Sequence, residues 1–91
     1  MESQANPNQA GIRDRIAGIV SRVSRIDVSE LLDDVKIREE LGVDSLMAME
    51  IVATCEKELH IRIDEGELYR LQTVGDFMNL VTSLYRTRTE S

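Results

Sequence analysis

The sequence of 91 residues contains one cysteine, Cys55, and one histidine, His60. A lone cysteine cannot form an internal disulfide, which is typical of a chain that works in the reducing cytoplasm. A Ser-His-Asp or Cys-His catalytic set and a metal site each require several polar side chains that converge. Cys55 falls on an apolar helix stripe, and His60 lies about four helical turns beyond Ser45. We therefore expect neither an enzyme nor a metal site.

Aromatic residues and long apolar runs are also scarce. Tyr69, Phe77 and Tyr85 are the only aromatic residues, so aliphatic side chains, methionine and alanine must form the core, which suits helices. No apolar run reaches the ~18 residues that a transmembrane helix needs. The polar residues 1–9 lack the basic and apolar segments of a secretory signal. The sequence predicts one cytoplasmic domain, a monomer without a membrane span.

Basic residues are outnumbered, since the chain has 17 acidic and 11 basic residues. The excess lies in residues 27–67, which hold 13 acidic and 4 basic residues and a net charge of −9. Such a surface repels nucleic acid and attracts proteins that present basic patches. A surface that only confers solubility would explain the charge equally well. Calcium binding is not expected, because the EF-hand pattern D-x-[DN]-x-[DN]-G is absent.

What the sequence does contain is a helical apolar periodicity. It predicts an all-α fold, a four-helix bundle with three long helices and a short third one. The helices are predicted over residues 10–24, 45–60, 65–71 and 73–85. The folded domain is therefore expected to occupy residues 10–85.

The remaining segments are expected to be tails and one long connection. Residues 1–9 are polar, contain the only proline and are predicted to be a disordered tail, and residues 86–91 a frayed one. The connection over residues 25–43 is long for a small domain. We expect apolar side chains to hold it on the bundle: Leu31, Leu32, Val35, Ile37 and Leu41.

Polar residues mark the starts of the last two helices. Asp64 with Glu67 three positions later resembles a capping box for the third helix. Thr73 is the predicted N-cap of the fourth helix, with Asp76 in its first turn. Both helices are therefore expected to start at these positions.

The second helix carries two stripes on nearly opposite sides. One stripe is wholly apolar and predicts the core face: Ala48, Ile51, Val52, Cys55 and Leu59. The other is offset by two residues, roughly 200° around the helix, and is mixed: Leu46, Met49, Glu50, Ala53 and Lys57. Leu46 and Met49 are therefore expected near water, either as part of a docking face for a partner or as a cover for the long connection.

The start of this helix is the candidate functional site. Gly42 interrupts the preceding segment, and either Asp44 or Ser45 can cap the helix. A serine in the first turn lies beside unpaired N–H groups and the positive end of the helix dipole. A phosphate ester on Ser45 would be favoured there.

The segment Leu41, Gly42, Val43, Asp44, Ser45, Leu46 resembles the signature L-G-x-D-S-L of acyl carrier proteins, the phosphopantetheine-binding carrier family. The resemblance extends over roughly residues 12–84. It implies an acyl-carrier-like fold, and 4′-phosphopantetheine attached to Ser45 by a phosphopantetheinyl transferase. It also implies that acyl intermediates are carried as thioesters on this arm, and that helix faces part to shelter a bound chain.

The resemblance also implies roles for neighbouring residues. Asp44 would contact the transferase and help place metal-bound coenzyme A, and Leu46 would be the apolar anchor beside the arm. Further contacts with acyl-chain synthesising or transferring enzymes would come from Met47, Met49, Glu50, Ala53 and Glu56.

Two departures from the family pattern leave the pathway open. Met47 stands where carriers of fatty acid synthesis often have an acidic residue, and Lys57 interrupts the acidic residues of the second helix. Fatty acid, polyketide and specialised lipid biosynthesis all remain candidates, whereas the G-G-x-S pattern of peptidyl carriers is absent. The competing hypothesis is an acidic helical interaction module without a prosthetic arm.

Overall fold

The computed structural model describes residues 10–90, with side chains described for 11–88. In chain order it contains α1 (Ala10–Ser24), a short 3-10 helix (Val28–Glu30), α2 (Ser45–Leu59), α3 (Glu65–Leu68) and α4 (Val74–Glu90). No strand occurs in this part of the chain, apart from a single bridge between Lys36 and Thr73. The predicted all-α fold with a short third helix is confirmed, while the predicted tail over residues 1–9 lies outside the described residues.

The core is aliphatic, as the scarcity of aromatic residues predicts. The core stripe of α2 is confirmed, because Ile51, Val52, Cys55 and Leu59 are buried and Ala48 is half-buried. The other two long helices contribute these buried residues: Ile12, Ile16, Ile19 and Val20 from α1, and Val74, Phe77, Met78 and Val81 from α4. Burial of one stripe from each long helix supplies the hydrophobic free energy that holds the bundle together.

The long connection is held mainly by backbone hydrogen bonds to the start of α4. The N–H groups of Val74 and Gly75 donate to the carbonyls of Val35 and Asp33, each at 2.9 Å, and Ile37 donates to Gln72 at 2.9 Å. Of the predicted apolar contacts, Leu31 is buried and Val35, Ile37 and Leu41 pack partly against the core. The prediction for Leu32 was wrong, since this side chain is 59% exposed.

The predicted start of α4 is confirmed. Thr73 Oγ1 accepts from the Asp76 N–H at 3.1 Å, while Asp76 Oδ2 accepts from the N–H groups of Gln72 and Thr73 at 3.0 and 3.1 Å. These two backbone bonds lower the pKa of Asp76, because they stabilise its charged form. The reciprocal arrangement satisfies N–H groups that the first helical turn would leave unpaired.

The predicted bounds of α1 are confirmed and those of α2 differ by one residue, whereas the ends of the last two helices differ from the predictions by several residues. Asp64 is the N-cap of the third helix, as predicted, but its side chain makes no capping bond, and the Glu67 N–H donates to the Asp64 backbone carbonyl at 3.0 Å. The third helix ends at Leu68 rather than residue 71. The fourth helix continues beyond Tyr85 to Glu90, so the predicted helix end at residue 85 was wrong, while fraying of residues 86–91 stays a prediction. The Arg88 guanidinium lies 4.5 Å from the Tyr85 ring centroid, an i,i+3 contact that stabilises this last turn.

Two glycines give a matched test of how the connection meets α4. A Cβ at Gly75 would lie 2.9 Å from the Asp33 carbonyl oxygen, whereas nothing lies within 4 Å of a Cβ at Gly18 in α1. We expect Gly75→Ala to lower the free energy of unfolding by about 1–3 kcal/mol, because the connection must shift. Gly18→Ala should raise it by about 0.5–1 kcal/mol through helix propensity. Urea unfolding of both variants measures the difference, and stabilisation by both changes would contradict the tight contact.

Candidate functional site

The turn before α2 buries one residue and leaves the two that follow it at the surface. Gly42 has a φ of 72°, a left-handed conformation that glycine adopts without strain. Val43 is buried, with 3% of its surface exposed, and anchors the turn in the core. Asp44 and Ser45 are both exposed immediately after it. Burial of one side chain therefore fixes the position of the next two at the surface.

The structure distinguishes the two candidate caps of α2. Asp44 is the N-cap, and its Oδ1 accepts from the N–H of Met47 at 2.8 Å. Ser45 is the first residue of the helix. Its hydroxyl makes no hydrogen bond with another described residue. Because Asp44 supplies the cap, the Ser45 hydroxyl is available for modification.

The exposed Ser45 also lines an apolar cavity of about 120 Å³. The cavity lies between the connection, α2, α3 and the start of α4, and its inner walls include Val20, Ile37, Val43, Ile51, Val52 and Phe77. A tether on the exposed Ser45 hydroxyl would meet open solvent on one side and this cavity on the other. The residues present therefore fit a phosphate-linked arm at Ser45, and unpaired N–H groups of the first turn would favour its negative charge.

Four of the predicted partner-binding residues share an exposed face of α2. Leu46 is 72% exposed and Met49 55% exposed, and Glu50 and Ala53 are exposed on the turns that follow. Leu46 and Met49 are therefore not covered by the connection. We call the surface formed by Leu46, Met49, Glu50 and Ala53 the α2 face.

Met47 and Glu56 are not part of the α2 face, because the side chain of each contacts another part of the folded chain. Met47 is half-buried and packs against the core. Glu56 is half-buried, and its Oε2 accepts from the Ile63 N–H at 2.8 Å. This bond ties the end of α2 to the segment that leads into α3. Their predicted partner contacts stay predictions, beside these structural roles.

Three residues at the cavity opening were missed by the sequence analysis. Arg38, Glu65 and Tyr69 are exposed residues that line the same cavity as Ser45, and Tyr69 is 74% exposed. Arg38 comes from the connection, seven residues before Ser45, whereas Glu65 and Tyr69 come from α3 and the turn after it, 20 and 24 residues beyond Ser45. The only signal of these residues in the sequence was Tyr69, an aromatic residue beside a short helix. No local pattern relates Tyr69 to Ser45.

Cys55 and His60 are remote from the site. Cys55 is fully buried, as predicted, and His60 is the left-handed C-cap of α2, with a φ of 56°. His60 is fifteen residues beyond Ser45, roughly 22 Å along the helix, so it cannot act as a base there. Among the described residues, no three or more His, Cys, Asp or Glu side chains cluster as a metal site. No helix within residues 10–90 is long and apolar enough to cross a membrane.

Burial makes the Cys55 thiol unreactive in the folded chain. The pKa of Cys55 is raised from 9.0 to about 12, chiefly by burial and to a smaller extent by the negative charges of Glu58 and Glu56. At pH 8 we expect a thiol-alkylating reagent to modify the unfolded but not the folded chain, as measured by mass. The neutral thiol contributes stability that is complete below pH 9 and is lost as pH rises to about 12. Rapid alkylation under native conditions would contradict this burial.

Comparison with known proteins agrees with this geometry. The sequence model of a family described as "Phosphopantetheine attachment site" matches residues 14–81. The chain is 38% identical to polyketide-8 synthase acyl carrier protein 2 of Streptomyces avermitilis, over 78% of this chain and 82% of that protein. It is 32% identical to an acyl carrier protein of Saccharopolyspora erythraea, over 80% of this chain and 77% of that one. An acyl carrier protein of Thermotoga maritima is 29% identical to the chain, over 74% of this chain and 83% of that protein.

The chain therefore belongs to the phosphopantetheine-binding family of acyl carrier proteins. The resemblance carried by Leu41 to Leu46 is confirmed, and so is 4′-phosphopantetheine as the covalent cofactor. These relatives are carrier proteins and not enzymes, in agreement with the expectation for this chain.

Proposed function

We propose that Ser45 is the residue that receives 4′-phosphopantetheine and that the chain presents acyl thioesters on this arm to separate enzymes. The observation that carries the proposal is the exposed Ser45 hydroxyl, which is left without a hydrogen bond because Asp44 caps the helix. The arm supplies the thiol, since the only cysteine is buried. It also supplies the reach by which cargo enters the active site of a partner.

The α2 face supports a proposal about those partners. Leu46 and Met49 expose apolar surface next to Ser45, and Glu50 adds a negative charge. A partner with an apolar centre and a basic rim is complementary to this surface. We assign Asp44 and Leu46 to the contact with the phosphopantetheinyl transferase, and the α2 face to encounters with this transferase and with acyl-transferring enzymes. Met47 and Glu56 lie on the same helix beside the α2 face, and they would contribute contacts at the margin of that face.

For the cargo, we propose a polyketide intermediate, with fatty acid and specialised lipid intermediates as the second candidates. The support is the identity of 38% with a polyketide synthase carrier, beside 29–34% with proteins named only as acyl carrier proteins. Met47 directly after Asp-Ser-Leu agrees with this proposal. We further propose that the chain works in the cytoplasm as a monomer, as its single buried cysteine and acidic surface favour.

The proposal is tested by incubating the chain with coenzyme A and a promiscuous phosphopantetheinyl transferase. Intact mass should increase by one phosphopantetheine group, and peptide mapping should locate the added mass on Ser45. No increase would reject the carrier function in favour of an acidic interaction module without an arm. Subsequent loading with acyl-coenzyme A substrates of different oxidation level, by a polyketide or a fatty acid acyltransferase, separates the two pathways.

A further inference from the structure

Arg38 is the one basic residue among those that line the cavity beside Ser45. It is exposed, and so are Glu65 and Tyr69 on the same cavity. The Arg38 guanidinium makes no hydrogen bond or ion pair with another described residue, and Glu65 does not neutralise it. Its charge is therefore available to a group attached at the cavity edge.

The backbone around Arg38 is fixed by hydrogen bonds on both sides. The carbonyl of Lys36 accepts from Glu40 and Leu41 at 3.0 and 3.2 Å, and the Lys36 N–H donates to Glu40 Oε1 at 2.7 Å. Ile37 donates to the Gln72 carbonyl at 2.9 Å and accepts from Val43 at 3.2 Å. The last bond joins the Arg38 turn directly to the turn that precedes Ser45. The two residues are thus parts of one hydrogen-bonded segment.

An arm on Ser45 would add a negative charge in an acidic region. Its phosphodiester would lie beside the carboxylate of Asp44, within the segment 27–67 of net charge −9. The N-terminus of α2 compensates only a fraction of an elementary charge. A guanidinium held at the same cavity edge is a strong partner for a phosphate oxygen.

We propose that Arg38 is a positioning residue that pairs with the phosphodiester of the arm on Ser45 and directs the arm along the cavity opening. This inference depends on the proposed attachment at Ser45. The juxtaposition that supports it is an unpaired guanidinium and an unbonded serine hydroxyl that are both exposed and line one cavity, on turns joined by the bond between Val43 and Ile37. An oxygen-bearing acyl group is the alternative ligand of the same chemistry, and the experiment separates the two.

The test compares apo and phosphopantetheine-bearing forms of the wild type, Arg38→Gln and Arg62→Gln, with the mass of each form verified. Arg62 is an exposed arginine beyond the far end of α2, so its variant removes the same charge at a remote position. At low salt, we expect the change in Tm on arm attachment to be about 2–5 °C less favourable in Arg38→Gln than in the wild type. The gap should narrow near 0.5 M salt, and Arg62→Gln should match the wild type.

Nuclear magnetic resonance of the arginine Nε–H groups provides the second measurement. Attachment of the arm without an acyl group should shift the Arg38 signal and leave that of Arg62 in place. The phosphodiester contact would be overturned if arm attachment changed Tm equally in the wild type and Arg38→Gln, or if Arg62→Gln reduced the effect on Tm as much as Arg38→Gln does. It would also be overturned if the Arg38 signal shifted only after acylation. Absence of any added mass would instead reject the proposed function itself.

Discussion

Replacement of Ser45 by alanine is expected to abolish attachment of the phosphopantetheine arm while the fold is retained. In the proposed function this hydroxyl oxygen accepts the phosphoryl group, so no residual transfer to this position should occur. Stability should change by no more than about 0.5 kcal/mol, because Ser45 is exposed and Asp44, not Ser45, caps α2. Intact mass measures the loss of attachment, and thermal unfolding measures stability.

Ser83→Ala is the matched control for this experiment. Ser83 is also an exposed serine on a long helix, and it lies on α4. This variant should gain the arm at the rate of the wild type. Attachment to Ser45→Ala would show that another hydroxyl is the acceptor, and a large loss of stability would show that Ser45 supports the helix start.

Charge reversal at Glu50 is expected to slow arm transfer by the phosphopantetheinyl transferase about tenfold at low salt. Glu50 lies on the α2 face, where a basic partner patch would meet a positive charge in place of a negative one. The side chain is exposed and makes no ion pair with a described residue, so Glu50→Lys should leave stability almost unchanged. The rate constant at low carrier concentration, measured over a salt series, reports the effect, and the two rates should converge near 0.5 M salt.

Glu30→Lys controls for the total charge of the chain. Glu30 is an exposed acidic residue in the 3-10 helix rather than on α2, and its replacement changes the net charge by the same amount. Its transfer rate should stay close to that of the wild type. Equal slowing in both variants would mean that overall charge, and not the α2 face, governs the encounter. Equal losses of stability and transfer in Glu50→Lys would point to a structural role.

The two largest effects therefore concern adjacent parts of one helix with separate physical causes. Ser45 is proposed to provide the reacting atom, so the effect of its removal should be all-or-none. Glu50 is proposed to contribute electrostatically to the encounter, so its effect should be graded and depend on salt. Measuring both in the same assay separates the attachment chemistry from recognition.

Helix positions and the candidate serine were predictable because they depend on relationships between neighbouring residues. Repeats of three and four residues place Ile51, Val52, Cys55 and Leu59 on one side of α2, wherever the rest of the chain lies. The short motif around Ser45 is equally local. The true ends of α3 and α4 were not predictable to the residue, since weak end contacts such as that of Arg88 with Tyr85 determine them.

The amino-acid sequence by itself determined the all-α class, the core stripes and the position of Ser45 at the start of α2. The reason is that the spacing of apolar residues and the motif around Ser45 each involve only residues within a few helical turns of one another. Only the tertiary structure decided that Asp44 is the cap, that the connection bonds to the start of α4 through Asp33 and Gly75, and that Arg38 and Tyr69 border the cavity at Ser45. The bond between Asp33 and Gly75, and the position of Tyr69 on the same cavity as Ser45, join segments that are distant in the chain. Their geometry depends on how the helices pack, which no local pattern contains.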